Sequence, residues 1–233
     1  MGVDAFEMIQ TAVQKDIDAG EPIYVLEKSD SDFVIVDDTM NRGRAIRYCH
    51  HDKITANWLE ERILISSTAK QHAHSIDPCA LAEYLSHAVD RNILQTLEYI
   101  VIVADAEQDW DEFFPVLEDR HGNPILEVCA LPDEGQLGIS WVEYQIVVVN
   151  LEEIVATAKV LCADMFSDFE TEVNIGVLTT VLHELFHLAQ NDPYVSEEVF
   201  DGLPKDIEEQ AETWAINTFE EYGGYILKEK NLQ

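Results

Sequence analysis

Two histidines and a glutamate stand at a spacing that suits metal binding. Residues 183–187 read His-Glu-Leu-Phe-His. On an α-helix, side chains four positions apart project from the same face, so His183 and His187 can bind one metal ion, with Glu184 beside them. Neutral imidazole nitrogens suit zinc, and a catalytic zinc site needs one further protein ligand and one position open to water. The spacing therefore predicts a zinc site that a more distant residue completes.

The sequence around these residues predicts the helix that this geometry requires. Apolar residues recur every three or four positions, and Asn191-Asp192-Pro193 then supplies a stop. We expect a largely buried helix of about five turns. The apolar positions are Val173, Val177, Leu178, Val181, Leu182, Leu185, Phe186 and Ala189.

The third metal ligand is not another histidine of the extended pattern H-E-x-x-H-x-x-G-x-x-H. Gln190 and Pro193 occupy the expected glycine and histidine positions. A carboxylate further along the chain is the ordinary alternative. A second helix is predicted after residues 201–203, with Pro204 in its first turn, and it should end near Gly223-Gly224.

One face of that second helix combines small and acidic residues. Ala211 and Ala215 share this face with Glu208 and Glu212. Small side chains would let the two helices approach closely, so Glu208 would reach the ion and Glu212 could accept a hydrogen bond from a ligand histidine. Because the chain is rich in acidic residues, other third ligands stay open. These alternatives are Asp206, Glu209 and Glu212.

The two segments together resemble the gluzincin metallopeptidases, whose second motif in several branches is Glu-x-x-Ala followed by Asp or Asn. Residues 207–215 are particularly similar to that motif in the ImmA/IrrE-like peptidases, small soluble proteins that cleave repressors. The resemblance covers roughly residues 173–222. It implies zinc-dependent hydrolysis of peptide bonds in a protein substrate, with Glu184 as general base. The metal ligands that it implies for Zn2+ are His183, His187 and Glu208.

This chain departs from the family pattern at two positions. Phe186 stands where a glycine is common, and Glu212 stands in place of Asp or Asn. These departures bear on subfamily and substrate rather than on the metal ligands.

The resemblance and the periodicity together predict an α+β fold of the zincin-like type. A small mixed sheet would pack against the active-site helix and the second ligand-bearing helix, with an N-terminal α+β extension. A soft boundary near Leu97 would separate residues 1–97 from a catalytic domain at 98–233. The predicted helices cover residues 4–19, 77–97 and 150–162, and the predicted strands cover 22–26, 33–36, 99–103, 125–131, 137–142 and 144–149. In zincins an edge strand commonly receives the substrate backbone, and 137–142 is the candidate.

Composition limits the partners. The 233 residues include 46 acidic and 14 basic side chains, for a net charge of −32. Such a charge opposes direct binding to nucleic-acid phosphates or to an anionic membrane surface, while a basic protein partner stays compatible. Besides an active peptidase, two interpretations stay open. One is an acidic interaction protein, possibly a nucleic-acid mimic, with a structural or vestigial metal site. The other is a proenzyme whose first hundred residues inhibit it.

Several further features predict location and redox state. The N-terminal residues carry no signal-peptide pattern and no apolar run is long enough to span a membrane, so we expect a cytoplasmic protein. The four cysteines lie far apart and are expected to be reduced core thiols. They are Cys49, Cys79, Cys129 and Cys162. Tyrosines near the motif that could stabilise an oxyanion are Tyr194, Tyr222 and Tyr225.

Overall fold

The computed structural model describes residues 54–71, 76–113, 116–117, 124–125, 131–133, 135–164, 168–192, 195 and 197–222, and the backbone of strands at 23–29, 32–37 and 44–49. The strands are β1 (Ile23–Ser29), β2 (Asp32–Asp37), β3 (Arg44–Cys49), β4 (Ile63–Ile65), β5 (Tyr99–Val103), β6 (Gly138–Trp141) and β7 (Ile146–Asn150). The helices are α1 (Ala56–Glu60), α2 (Ser67–Gln71), α3 (Pro78–Ala88), α4 (Arg91–Leu94), α5 (Ala106–Asp109), α6 (Leu151–Asp164), α7 (Phe169–Gln190) and α8 (Ile207–Tyr222). The predicted helix at 4–19, most of the predicted strand at 125–131, Tyr194 and Tyr225 lie outside the described residues.

The N-terminal strands form an antiparallel meander in the order β1-β2-β3. Both strands predicted before residue 40 are confirmed as β1 and β2, and each is somewhat longer than expected. The β2–β3 register sets Asp37 opposite Arg44.

A four-stranded mixed sheet forms the centre of the remaining chain, in the order β4-β5-β7-β6. Strands β4, β5 and β7 are parallel, and β6 runs antiparallel to β7 at one edge. All five residues of β7 are buried, as expected for a parallel strand that is covered on both faces. The α+β class and the small mixed sheet are therefore confirmed.

Each face of this sheet has its own apolar cluster. On one face, Ile100, Ile102, Val147 and Val149 pack against the helices, α7 among them. On the other face, Val101, Val103, Ile146 and Val148 belong to a cluster that includes Trp110. The ring centroid of Trp110 lies 4.5 Å from that of Trp141. The alternation of side chains along each strand produces this division.

The segment predicted as one helix over 77–97 forms two helices, so that prediction is wrong in its continuity. Asp77 caps α3 as expected, by accepting hydrogen bonds from the N–H groups of Cys79 and Ala80. The chain becomes extended at Val89, and the Asp90 side chain accepts a bond from Asn92 N at 2.7 Å. An aspartate that bonds its own backbone in this way starts a new helix in preference to continuing the old one.

The elements before Leu97 share the sheet and the core with those after it. Strand β4 pairs with β5, and Leu85 and Leu94 belong to the same apolar cluster as α7. The hydroxyl of Tyr84 donates to the carbonyl oxygen of Thr218 on α8 at 3.2 Å. Residues 54–97 thus take part in holding the two C-terminal helices together.

Both C-terminal helices begin at aspartate caps. Asp168 accepts bonds from the Thr171 backbone N–H at 3.0 Å and from its hydroxyl at 2.8 Å, which starts α7 one turn before the predicted position. Helix α8 starts after Pro204, not with it, because Asp206 accepts from Glu209 N at 3.1 Å and acts as the cap. None of the helices within the described ranges is long and apolar enough to cross a bilayer.

Candidate metal centre

Helices α7 and α8 lie close together along the face that the alanine spacing predicted. Ala211 and Ala215 are buried between them. Phe186 is fully buried and stacks on Trp214 of α8, with ring centroids 4.8 Å apart and planes inclined by 22°. The Phe186 ring therefore packs against the second helix and secures it to α7.

Three side chains from these helices converge. His183 Nε2 and His187 Nε2 lie 3.0 Å apart. The Oε2 atom of Glu208 lies 3.5 Å from His183 Nε2 and 3.4 Å from His187 Nε2. His183, His187 and Glu208 form a group that can hold a metal ion, with each residue offering one ligand atom.

The three distances fit a small tetrahedral ion. Ligand bonds of about 2.0–2.1 Å in a tetrahedron place neighbouring ligand atoms about 3.3–3.4 Å apart. The observed edges of 3.0, 3.4 and 3.5 Å bracket that value. The Glu208 side chain is 76% exposed, against 28% for His183 and 12% for His187, so one side of the group faces solvent. A fourth position on that side can take water or a substrate atom.

The surroundings of His183 favour its neutral form. Burial lowers the pKa of His183, and the neighbouring His187 lowers it further, against the opposing effect of Glu208. A neutral imidazole has a nitrogen lone pair available to a metal ion, whereas an imidazolium has none. The group is therefore prepared to bind a cation near neutral pH.

Glu184 follows His183 in the sequence and its side chain is buried. Its exposed fraction is 8%. Burial raises the pKa of its carboxyl group to about 7, against the lowering effects of His187 and of a hydrogen bond from the Ser140 side chain. A carboxyl group with a pKa near the working pH can both take and release a proton.

The edge strand β6 reaches Glu184 through a glycine. A β-carbon placed on Gly138 would lie 2.6 Å from Thr180 Cγ2 and 3.1 Å from Glu184 Cγ. Only a residue without a side chain allows the strand and α7 to approach this closely. Gly138 thus brings the backbone of β6 next to the buried carboxyl group.

The outer contacts of His187 differ from expectation. Its Nδ1 lies 2.7 Å from Gln190 Oε1, three residues along the same helix. Glu212 was expected to accept a hydrogen bond from a ligand histidine, but no described hydrogen bond joins it to either one. It raises the pKa of His183 from a distance instead. In the sequence, Gln190 was considered only as a mismatch to the extended histidine pattern. Its spacing of three from His187 on a helix could have predicted this contact.

The other residues that the sequence singled out lie outside the group formed by His183, His187 and Glu208. Asp206 is engaged as the cap of α8, and Glu209 is exposed outside the group of three. Tyr222 comes fourteen residues after Glu208 on one helix, which places it about 21 Å away along the axis, too far to contact a reacting atom. Cys79 is exposed and is not the core thiol that was expected, whereas Cys162 is partly buried.

Comparisons with protein-family models, with curated proteins and with solved structures gave no match to this chain.

Proposed function

We propose that the chain is a gluzincin-like zinc metallopeptidase that hydrolyses peptide bonds in a protein substrate. The observation that carries the proposal is the convergence of His183, His187 and Glu208 with edges of 3.0–3.5 Å beside the buried Glu184. Two imidazoles and one carboxylate are a common ligand set for catalytic zinc. The mixed sheet, with an antiparallel edge strand next to the motif helix, is the arrangement expected of a zincin-like fold and supports the same proposal.

The chain's own residues supply the proton transfers. Bound zinc would act as a Lewis acid that polarises a carbonyl group and acidifies water to a pKa near about 7. Glu184 takes the proton of the attacking water and later passes it to the leaving amine. Its pKa of about 7 suits both steps, because the group is partly ionised at neutral pH.

The substrate backbone is proposed to lie along β6. This strand pairs with β7 on one side, and it lies at the edge of its sheet. An edge strand offers N–H and C=O groups to an extended peptide. Because Gly138 brings β6 against Glu184, a peptide added there would be close to both the carboxyl group and the metal ligands.

Metal content and peptide cleavage in matched variants test the proposal. Zinc would be measured by elemental analysis, and cleavage with a library of quenched fluorescent peptides. Glu184→Gln should keep zinc and reduce cleavage by roughly 10²- to 10⁴-fold, because only the proton carrier is lost. His183→Ala should lose both zinc and cleavage.

Glu208 and its acidic neighbours provide the control for the third ligand. Glu208→Ala should lose zinc, whereas Glu209→Ala and Glu212→Ala should keep it. Full zinc content in Glu208→Ala would assign the third ligand to another residue. Unchanged cleavage in Glu184→Gln would remove Glu184 from the role of general base. Zinc binding without any cleavage by the unmodified chain would remove the peptidase proposal and favour an acidic interaction protein with a structural metal.

A further inference from the structure

We propose that Gln190 is a positioning residue of the metal centre, which orients His187 and holds the peptide bond that precedes Glu208. The inference rests on the function proposed above. The Gln190 side chain makes three hydrogen bonds. Its Oε1 lies 2.7 Å from His187 Nδ1, and its Nε2 donates to Ile207 O at 3.0 Å and to Gln210 Oε1 at 2.7 Å.

These bonds determine which nitrogen of His187 carries the proton. An amide oxygen can only accept, so the proton must be on Nδ1 of the imidazole. The lone pair is then on Nε2, the nitrogen that faces His183 and Glu208. A ligand histidine with a fixed tautomer and ring orientation needs no rearrangement when a metal ion binds.

The same amide joins the two helices that supply the ligands. Ile207 O belongs to the peptide bond whose nitrogen is that of Glu208, so the bond from Gln190 fixes the backbone directly before the third ligand. Gln210 is anchored in turn, because its Nε2 donates to Pro204 O at 3.1 Å. Both N–H groups and the oxygen of Gln190 are used, and rotation of its side chain would break all three contacts.

Zinc affinity of the full-length protein tests this role. Each metal-free variant would compete for zinc against a chromophoric chelator. Gln190→Ala should bind zinc about 10- to 100-fold more weakly, the usual effect of removing an outer partner of a ligand histidine. Gln190→Glu keeps an acceptor for His187 Nδ1 but loses both donors to α8, so its zinc affinity should fall less than that of Gln190→Ala.

Substitutions of two other glutamines serve as comparisons in the zinc-affinity experiment. Gln210→Ala removes the anchor but leaves the bond to His187, so its loss of affinity should be smaller than that of Gln190→Ala. Gln108→Ala makes the same deletion at an exposed position of α5 and should leave zinc affinity unchanged.

Nitrogen-15 NMR of the metal-free protein gives a readout that a merely supporting residue would not change. In the unmodified chain His187 should carry its proton on Nδ1. In Gln190→Ala the Nε2-protonated form should increase, and in Gln190→Glu the Nδ1-protonated form should persist.

The outcomes separate the two proposals. Unmodified protein that binds no zinc would overturn the metal centre and, with it, the role of Gln190. Zinc binding by the unmodified chain with equal affinity and tautomer in Gln190→Ala would overturn only the positioning role. If Gln190→Ala fails to fold, loss of the Nδ1-protonated form of His187 in Gln190→Glu, or no loss of zinc affinity in Gln210→Ala, would overturn it instead.

Discussion

Two buried carboxyl groups, Asp109 and Glu184, show how differently one fold can treat the same chemical group. Their exposed fractions are 1% and 8%. Burial opposes the ionised form of both, yet hydrogen bonds lower the pKa of Asp109 below its ordinary value, whereas the pKa of Glu184 is raised to about 7. Depth in the protein therefore does not decide the charge of either group.

Around Asp109, hydrogen-bond donors outweigh the effect of burial on the pKa, whereas around Glu184 burial has the largest effect. One oxygen of Asp109, Oδ2, accepts from the Ser66 hydroxyl at 2.7 Å, from the Thr68 hydroxyl, and from the backbone N–H groups of Ala104 and Asp105 at 2.9 and 3.0 Å. Such bonds compensate for lost water and hold the group ionised. Glu184 has a hydrogen bond from the Ser140 side chain, which lowers its pKa. The loss of water on burial has the larger effect and raises that pKa. The four donors stabilise Asp109 as a carboxylate, whereas the raised pKa of Glu184 lets its carboxyl group exchange a proton near neutral pH.

The largest expected effect comes from removing the well-bonded group. Asp109→Ala would leave two backbone N–H groups and two hydroxyls, buried or partly buried, without their acceptor. We expect a loss of at least about 3 kcal/mol in the free energy of unfolding, measured with urea at pH 7. A loss below about 1 kcal/mol would contradict the structural role of this carboxylate.

Asp109→Asn provides the control, because it keeps an oxygen and removes the charge. With a lowered pKa in the folded protein, Asp109 contributes stability above its unfolded pKa of 3.8, and that contribution is lost as the pH falls through the folded pKa. The stability difference between the unmodified chain and Asp109→Asn should therefore shrink on acidification.

Glu184 should show the opposite dependence on pH. Its folded pKa of about 7 lies above the unfolded value of 4.5, so between these pH values the folded state binds more protons. In the metal-free protein this group alone should lower the free energy of unfolding by roughly 3 kcal/mol as the pH rises from 4.5 to above 7. Urea titrations in the presence of a chelator would measure the slope.

Glu184→Gln should remove that slope and be more stable than the unmodified chain at pH 8. The exposed Glu220 on α8 offers a matched substitution, and Glu220→Gln should keep the slope. An identical pH dependence in Glu184→Gln and in the unmodified chain would show that the buried carboxyl group titrates normally.

The sequence was sufficient for those parts of the site that depend on one helix. The spacing of His183, Glu184 and His187 and the apolar periodicity around them are local, and α7 carries all three as expected. The position of Glu208 beside the two histidines could also be predicted, because Ala211 and Ala215 mark the contact face of α8 and Glu208 shares that stripe. The break at Val89 was missed because Asp90 can cap a helix or continue one, and the sequence does not say which.

Features that depend on contacts between distant segments could not be read in this way. The donors to Asp109 come from residues 66, 68, 104 and 105, which the parallel pairing of β4 and β5 brings together. The role of Gln190 depends equally on the crossing of α7 and α8, since two of its partners are on or beside α8. The need for glycine at position 138 is evident only from the close approach of β6 to α7.

The smallest expected effect tests the hydrogen bond from the Ser140 side chain to Glu184. Ser140→Ala removes a hydroxyl that lowers the pKa of Glu184, so that pKa should rise above about 7, by up to about one unit, equivalent to about 1 kcal/mol. The pH at which the stability slope ends in the metal-free protein is set by the folded pKa, so it should move to higher pH by the same amount. Ser140→Thr keeps the hydroxyl on a residue that suits a strand and should leave that pH in place. An end of the slope that stays fixed or falls in Ser140→Ala would mean that the Ser140 hydroxyl does not stabilise the ionised form of Glu184.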